Sequence, residues 1–214
     1  MKTILCYGDS NTWGAMPIAD WGAIGRFDAE TRWPGVMRTA LGAGHTVIEE
    51  GLNGRTSCIA DPVEGRHKDG AAFFPVAIES HFPLDLVIIM LGTNDLKARF
   101  SMRPGDVAHA LGHLVDMARQ SGMGPGGAAP QVLLVAPAPF ARLSLFAEMF
   151  TGGAEKSLHL APAIERIAAE RGAHFFSAAT VIRSSDVDGI HLDADAHAAL
   201  GKAIAGQARA ILAG

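Results

Sequence analysis

Residues 84–95 read LDLVIIMLGTND, an almost continuously apolar run that ends in four small or polar residues. An apolar run of this length without alternation is typical of a central parallel strand that helices cover on both faces. We therefore predict that Leu84–Leu91 is a buried strand. Gly92-Thr93-Asn94-Asp95 should follow it at the carboxyl edge of the sheet, where open α/β folds bind ligands.

Strand and helix patterns alternate on both sides of this run. The other predicted strands are Thr3–Tyr7, His45–Glu49, Gln131–Ala136 and Ala173–Ser177. The predicted helices are Trp33–Leu41, Ala71–Phe82, Pro104–Gln120, Ala154–Arg171 (which Pro162 either kinks or starts) and Asp193–Leu212. Such repetition implies right-handed crossovers and helices on both faces of a parallel sheet. We predict one domain over residues 1–214, a three-layer α/β/α fold with a five-stranded parallel sheet.

Composition excludes several kinds of partner. The formal net charge of −4 gives no basic surface for nucleic acid or for an anionic membrane. Two cysteines, Cys6 and Cys58, are too few for a disulfide framework, which favours a reduced cytoplasmic setting. Residues 1–4 lead directly into the first strand, so no signal peptide is predicted, and no apolar run has the length of a membrane span.

Three polar patches follow predicted strands. They are Gly8-Asp9-Ser10-Asn11, Gly92-Thr93-Asn94-Asp95 and Asp188-Gly189-Ile190-His191. The loops after parallel strands all open on the carboxyl edge of the sheet, so the topology gathers these patches at one place. Together they supply a nucleophile, an amide donor, and a base with an orienting carboxylate, which are the parts that acyl transfer by a serine enzyme needs.

Ser10 is the candidate nucleophile. In a sharp strand-to-helix turn, its hydroxyl and its own backbone N–H can face the same point, although a serine there can also be a plain helix cap. His191 lies three residues after Asp188, a spacing that lets the carboxylate orient the imidazole; a surface loop with a helix cap is the alternative. Asp186 is a rival carboxylate that we rank below Asp188.

Two further residues are candidates for stabilising an oxyanion. The side-chain amide of Asn94 can donate to it, or it can simply hold a turn through its own backbone. Gly54 follows the second strand and lets its backbone N–H approach a ligand closely, although an ordinary turn glycine is the better interpretation of that residue alone. Asp9 and Asn11, which flank Ser10, and Trp13 are predicted to line the substrate pocket.

No metal site is predicted. His109 and His113 are four residues apart on a predicted helix and could form a metal pair. No glutamate or further ligand accompanies them in an H-E-x-x-H pattern, so we interpret them as ordinary helix residues.

These blocks, in this order, resemble the SGNH hydrolases of the GDSL esterase/lipase superfamily, and the resemblance covers essentially the whole chain. It implies that Ser10 is the nucleophile and that Asp188 and His191 complete the triad. It also implies that Gly54 and Asn94 donate to the oxyanion with Ser10. Two positions depart from the usual blocks, because Glu49-Glu50 precede Gly51 and Asn11 stands where many members carry leucine.

Within the superfamily the chain is most similar to bacterial arylesterases that also act as acyltransferases and perhydrolases. Four matching stretches carry this likeness: Ile4–Ser10, Val47–Leu52, Leu84–Asp95 and Val187–His191. The likeness implies a narrow apolar acyl pocket, short acyl chains and assembly into oligomers.

We therefore predict a cytoplasmic serine esterase with a flavodoxin-like fold that hydrolyses small short-chain acyl esters and needs no cofactor. Acyl transfer or perhydrolysis is a further possibility. The alternatives are a carbohydrate O-deacetylase of the same superfamily and a non-catalytic small-molecule binding protein. Apolar residues near the site, Trp13, Trp21, Phe27, Trp33, Phe140 and Phe146, count against a sugar cleft, although at least half of them should be core.

Two long segments, Ala15–Arg32 and Pro137–Gly153, are rich in Trp, Phe, Met and Leu. Exposed apolar patches of this kind are uncommon on monomers. We therefore predict a homo-oligomer in which these segments meet neighbouring subunits and narrow the entrance to Ser10. Folding of the segments over their own sheet edge is the alternative.

Overall fold

The computed structural model describes residues 1–22 and 25–214. In these residues the chain forms five strands, β1 (Lys2–Gly8), β2 (His45–Gly51), β3 (Leu86–Met90), β4 (Gln131–Ala136) and β5 (His174–Ser177). It also forms seven α-helices, α1 (Ser10–Trp13), α2 (Trp33–Leu41), α3 (Gly70–His81), α4 (Pro104–Gln120), α5 (Gly153–Ser157), α6 (Leu160–Arg171) and α7 (Ala194–Ala213).

All five strands are parallel and lie in the order β2-β1-β3-β4-β5. This order and the layers around it confirm the predicted α/β/α flavodoxin-like fold. Strand β1 has β2 on one side and β3 on the other, so the order reverses there. Loops that leave β1 and its neighbours diverge at such a point and open a crevice.

The sheet separates two apolar cores. Helices α3, α4 and α6 cover one face, and α2 and α7 cover the other. The side chains of β3 alternate between the cores: Val87 and Ile89 join the first, whereas Leu86, Ile88 and Met90 join the second. Burial on both faces explains why the run reads as continuously apolar.

Strand β3 is shorter than the predicted Leu84–Leu91. Asp85 uses its carboxylate to accept hydrogen bonds from the Thr3 N–H and from Lys2 Nζ, both at 2.8 Å, at the amino edge of the sheet. After Met90 the chain turns, and Gly92 adopts a φ of +118°, a conformation that favours glycine.

The predicted 154–171 helix is two helices, α5 and α6. Pro162 lies in the first turn of α6, where its missing N–H has no helical partner to lose. The second of the two predicted roles of this proline, marking the true start of a helix, is therefore confirmed.

The long apolar segments pack partly on the molecule itself. Phe146 and Phe150 of the 137–153 segment are 9% and 3% exposed and belong to the first core. Ile18 of the 15–32 segment joins that core too, whereas Trp21 is 62% exposed; residues 23 and 24 of this segment lie outside the described residues. Across the described residues, no helix has the length and apolarity to cross a membrane.

Candidate active site

The turn that follows β1 places Ser10 at the carboxyl edge of the sheet. Asp9 caps α1 and accepts a hydrogen bond from the Asn11 N–H at 3.0 Å. A Cβ on Gly8 would clash with the Thr12 side chain, so the chain can turn this tightly only with glycine there. Ser10 opens the helix and is 7% exposed.

Ser10, His191 and Asp188 form a continuous hydrogen-bonded chain. Ser10 Oγ lies 3.1 Å from His191 Nε2, and His191 Nδ1 lies 2.6 Å from Asp188 Oδ2. Residues 181 positions apart in the chain therefore meet as the sequence blocks predict. Asp186, the rival carboxylate, is exposed and does not take the place of Asp188.

Asp188 is held in its ionised form. Burial by itself would raise its pKa, but the hydrogen bond and charge of His191 and the N–H groups of Ile18 and Ile190 outweigh burial and lower the pKa below its ordinary value. An ionised carboxylate can only accept, so His191 Nδ1 carries the proton. In the neutral imidazole, Nε2 then presents its lone pair to Ser10 Oγ.

Asn94 and Gly54 stand beside Ser10. Asn94 is 7% exposed, and its Nδ2 donates to the Arg55 carbonyl at 3.1 Å, which leaves a second amide hydrogen. Gly54 has a φ of +77° and lines the same cavity as Ser10. Within the described part of the chain, the N–H groups of Ser10 and Gly54 donate to no protein acceptor.

Arg55 joins the loops that carry these groups. It is 6% exposed, lies over the ring of Tyr7, and donates to the carbonyls of Gly8 and Glu50 at the ends of β1 and β2. Its own carbonyl accepts from Asn94. The motifs did not point to Arg55, because a side chain that donates only to carbonyls leaves no pattern in the sequence.

A cavity of about 340 Å³ opens above Ser10 and His191. Its apolar lining consists of Ala15, Ile18, Trp21, Phe146, Met149, Phe150 and Ile190. Its polar lining consists of Ser10, His191, Asn53, Gly54, Asn94, Glu64, Lys68 and Lys97. The sequence had placed Trp21 and Phe146 near the site, whereas the charged residues were missed.

Asp9, Asn11 and Trp13, which were predicted to line the substrate pocket, are not among the residues that line this cavity. Asp9 is 1% exposed and caps α1, and Asn11 turns its amide to the Ile190 carbonyl at 3.3 Å. The Arg26 guanidinium lies 4.5 Å from the centre of the Trp13 ring. Asn11 is one position after Ser10 in α1 and therefore points to a different side of the helix. Asp9 is engaged as the helix cap, and Trp13 packs against Arg26.

Three other aromatic residues serve packing. Trp33 is fully buried in the second core, Phe27 contacts the His197 ring edge-on at 5.3 Å, and Phe140 contacts Phe150 at 5.1 Å. Trp33 and Phe146 belong to the two cores and Phe140 packs against the first, so half of the six aromatic residues singled out in the sequence are core, as predicted. Within residues 1–22 and 25–214, no three His, Cys, Asp or Glu side chains are grouped to hold a metal ion.

Asp9→Asn is expected to raise the free energy of unfolding at pH 8 by on the order of 2 kcal/mol and to change it little below about pH 4. Burial raises the pKa of Asp9 to about 6, although the hydrogen bond from the Asn11 N–H acts to lower it. The folded state therefore binds this proton more tightly than the unfolded chain does. The stabilisation of the folded state by this proton is complete below the pKa that Asp9 has in the unfolded chain. It is lost as the pH rises through about 6, the pKa of Asp9 in the folded state.

Denaturant titrations at pH 4, 6 and 8 measure this difference. The asparagine stays neutral and keeps an acceptor for the Asn11 N–H. Asp186→Asn, at an exposed carboxylate of the same edge, is the matched control and should show no comparable gain. Destabilisation by Asp9→Asn that is larger at pH 8 than at pH 4 would mean that the ionised carboxylate makes a favourable contact.

An open parallel α/β fold with a Ser–His–Asp hydrogen-bonded chain at its carboxyl edge defines the class of α/β serine hydrolases. The chain belongs to the GDSL-like lipase/acylhydrolase family, whose sequence model matches residues 6–199. It is a carboxylic ester hydrolase.

Solved structures cover the chain over nearly its full length. Est24, a carbohydrate acetylesterase from Sinorhizobium meliloti, is 41% identical with a TM-score of 0.95. The native aryl esterase of M. smegmatis is 43% identical with a TM-score of 0.94. Each match covers 99% of this chain and 100% of the other. Comparison with curated protein sequences gave no match.

Proposed function

We propose that the protein hydrolyses short-chain acyl esters through an acyl-Ser10 intermediate. The observation that carries this proposal is the unbroken chain from Asp188 through His191 to Ser10 Oγ, with contacts of 2.6 and 3.1 Å at the floor of an apolar cavity. The similarity to named esterases supports the same chemistry.

In the first half of the reaction, His191 Nε2 removes the Ser10 proton as Oγ attacks the ester carbonyl carbon. The resulting oxyanion accepts hydrogen bonds from the backbone N–H groups of Ser10 and Gly54 and from Asn94 Nδ2. His191 then gives the proton to the departing alcohol oxygen, and the acyl group remains on Oγ. Asp188 stabilises the imidazolium that forms between the two proton transfers.

In the second half, water loses a proton to His191 and attacks the acyl carbonyl. The same three donors hold the second oxyanion, and the carboxylic acid leaves as Ser10 recovers its proton. An alcohol or hydrogen peroxide in place of water would give acyl transfer or perhydrolysis by the same steps. Ser10, His191, the ester and water together account for every proton moved and every bond made or broken in this cycle.

Acetyl esters are expected to be hydrolysed at least about tenfold more efficiently than octanoyl esters, judged by kcat/KM. Ile18, Phe146 and Ile190 line the cavity of about 340 Å³, and the Phe146 ring lies 5.8 Å from the His191 ring, so we expect the acyl group to meet an apolar surface close to Ser10. A series of p-nitrophenyl esters from acetate to octanoate measures the preference. Faster turnover of the long-chain esters would contradict a short acyl pocket.

The protein is expected to form a homo-oligomer in solution. Trp21 stays 62% exposed at the rim of the cavity, and Met16 of the same segment is 37% exposed, so apolar surface remains that a second subunit could cover. Phe146 and Phe150 already pack on their own sheet edge, which limits the interface to the rim. Light scattering measures the mass, and a monomeric mass at micromolar concentration would contradict the assembly.

A carbohydrate O-deacetylase is the second candidate, and one observation favours it: the 41% identity to a carbohydrate acetylesterase over the whole chain. Release of acetate from acetylated xylan, compared with hydrolysis of p-nitrophenyl acetate, distinguishes a deacetylase from an esterase of small acyl esters.

A cytoplasmic location is a further part of the proposal, supported by two free thiols, Cys6 and Cys58.

A further inference from the structure

One wall of the cavity is charged. Glu64 and Lys68 lie in the connection between β2 and α3, and Lys97 follows β3; all three line the cavity. The mechanism proposed above uses none of them. Lys97 is 2% exposed, a degree of burial that charged side chains tolerate only when they are paired.

Two charges of this wall, Lys97 and Glu64, form a neutral group of four with Asp61 and Arg99, which do not line the cavity. Lys97 Nζ lies 3.3 Å from Asp61 Oδ2 and 2.5 Å from Glu64 Oε1. Arg99 lies 2.8 Å and 2.5 Å from the same two oxygens. Two cations therefore balance two carboxylates. On Glu64, both contacts fall on Oε1, and Oε2 accepts no hydrogen bond from the described residues.

Lys68 is the fifth charge. Its ammonium makes no ion pair or hydrogen bond with any residue of the ranges 1–22 and 25–214. Gly54 shows where it lies: a Cβ built on that residue would clash with Glu64 Oε2 and would lie 3.4 Å from Lys68 Cε. A charged donor and an unused carboxylate oxygen therefore sit side by side next to a proposed oxyanion donor.

A hydroxyl group is the ligand that fits such a pair. It accepts from the ammonium and donates to the carboxylate at the same time, and hydrogen bonds to charged partners are the stronger kind. An anionic ligand would gain from Lys68 but would be repelled by Glu64 Oε2. An apolar ligand would bury both groups without partners, which is unfavourable.

We infer that Lys68 and Glu64 form a subsite for a hydroxyl group on the alcohol portion of the ester. This inference rests on the proposed function. The acyl and alcohol portions extend in opposite directions from the ester carbonyl. The Phe146 ring lies 5.8 Å from the His191 ring, whereas Glu64 and Lys68 lie beside Gly54. We therefore place a short acyl group against Phe146 and the alcohol portion along Glu64 and Lys68. The protein therefore selects acyl esters of hydroxylated alcohols.

Two esters that differ only in hydroxyl groups test this selection. We expect kcat/KM for 2,3-dihydroxypropyl acetate to exceed that for propyl acetate by about tenfold. In Lys68→Met and in Glu64→Gln this ratio should fall by about fivefold or more, towards one. Lys202→Met and Glu79→Gln, at exposed positions on α7 and α3, are the matched controls and should keep the wild-type ratio.

Several outcomes would overturn the inference. A wild-type ratio near one, or a ratio that both variants retain, removes the subsite. Propyl glycolate carries its hydroxyl group on the acyl portion. If the variants instead change the ratio of kcat/KM for propyl glycolate to that for propyl acetate, the charged wall binds the acyl portion. 3-Acetoxypropanoate carries a carboxylate on its alcohol portion. If Lys68→Met loses hydrolysis of this ester but keeps the wild-type ratio for 2,3-dihydroxypropyl acetate over propyl acetate, the charged wall binds an anion and not a hydroxyl group.

Folding and the proposed function are controlled separately. Glu64→Gln removes the charge that pairs with Lys97 and Arg99, so this variant can lose stability. Lys68→Met removes no ion pair, so it tests the subsite even if Glu64→Gln does not fold. Retained esterase activity in Ser10→Ala would refute the proposed function whatever the ratio. An inactive Ser10→Ala together with a wild-type ratio near one would overturn the subsite alone.

Discussion

Ser10→Ala is expected to lower kcat/KM for p-nitrophenyl acetate by roughly 10⁴-fold or more without loss of stability. Ser10 Oγ lies 3.1 Å from His191 Nε2, which would take its proton. The members of such a triad act as a unit, so the loss of one removes most of the rate enhancement. Removing one hydroxyl from a side chain that is 7% exposed creates no large void, so the denaturation midpoint should stay close to that of the wild type.

Two measurements separate this expectation from a merely structural role for Ser10. A serine-directed fluorophosphonate should add its mass to the wild type and not to Ser10→Ala. Ser80→Ala, at an exposed position on α3, is the matched control and should keep both the activity and the label. Wild-type turnover by folded Ser10→Ala would refute the acyl-Ser10 mechanism.

The parts of the site that lie at strand ends could be predicted from sequence. Parallel strands bring their carboxyl ends to one edge, so the patches around Ser10 and Asn94, which follow β1 and β3 closely, converge there. His191 lies in the connection from β5 to α7, which opens on the same edge. Asp188 could be assigned because its three-residue spacing from His191 is local. These inferences need only the strand order and short-range geometry.

The cavity walls could not be predicted in the same way. Met149 and Phe150 reach the site through a long connection without periodicity, and nothing in that segment reports which way it folds. The Glu64–Lys97 contact joins residues 33 positions apart on two different loops. Proximity in sequence to Ser10 did not identify the cavity lining. Asn11 is the next residue of the helix and points to a different side, and Trp13 packs against Arg26, a contact that the motifs do not report.

Asn94→Ala is expected to lower kcat by roughly 100-fold to 1,000-fold, with a much smaller change in KM. The free amide hydrogen of Asn94 Nδ2 gains its full hydrogen bond only when the carbonyl oxygen becomes an oxyanion, so the loss falls on the transition state. Steady-state kinetics with p-nitrophenyl acetate at saturating concentration give kcat and KM separately.

Asn94 also has a structural contact, because its Nδ2 donates to the Arg55 carbonyl at 3.1 Å. Losing that hydrogen bond should cost about 1 kcal/mol of stability, a change that does not by itself act on the chemical step. Asn94→Asp keeps the shape of the side chain but replaces both amide hydrogens with an acceptor that repels the oxyanion. Its kcat should therefore fall at least as far as that of Asn94→Ala. If both variants lost stability and kept a near wild-type kcat, Asn94 would only hold the Arg55 loop, and the oxyanion would rely on Ser10 and Gly54.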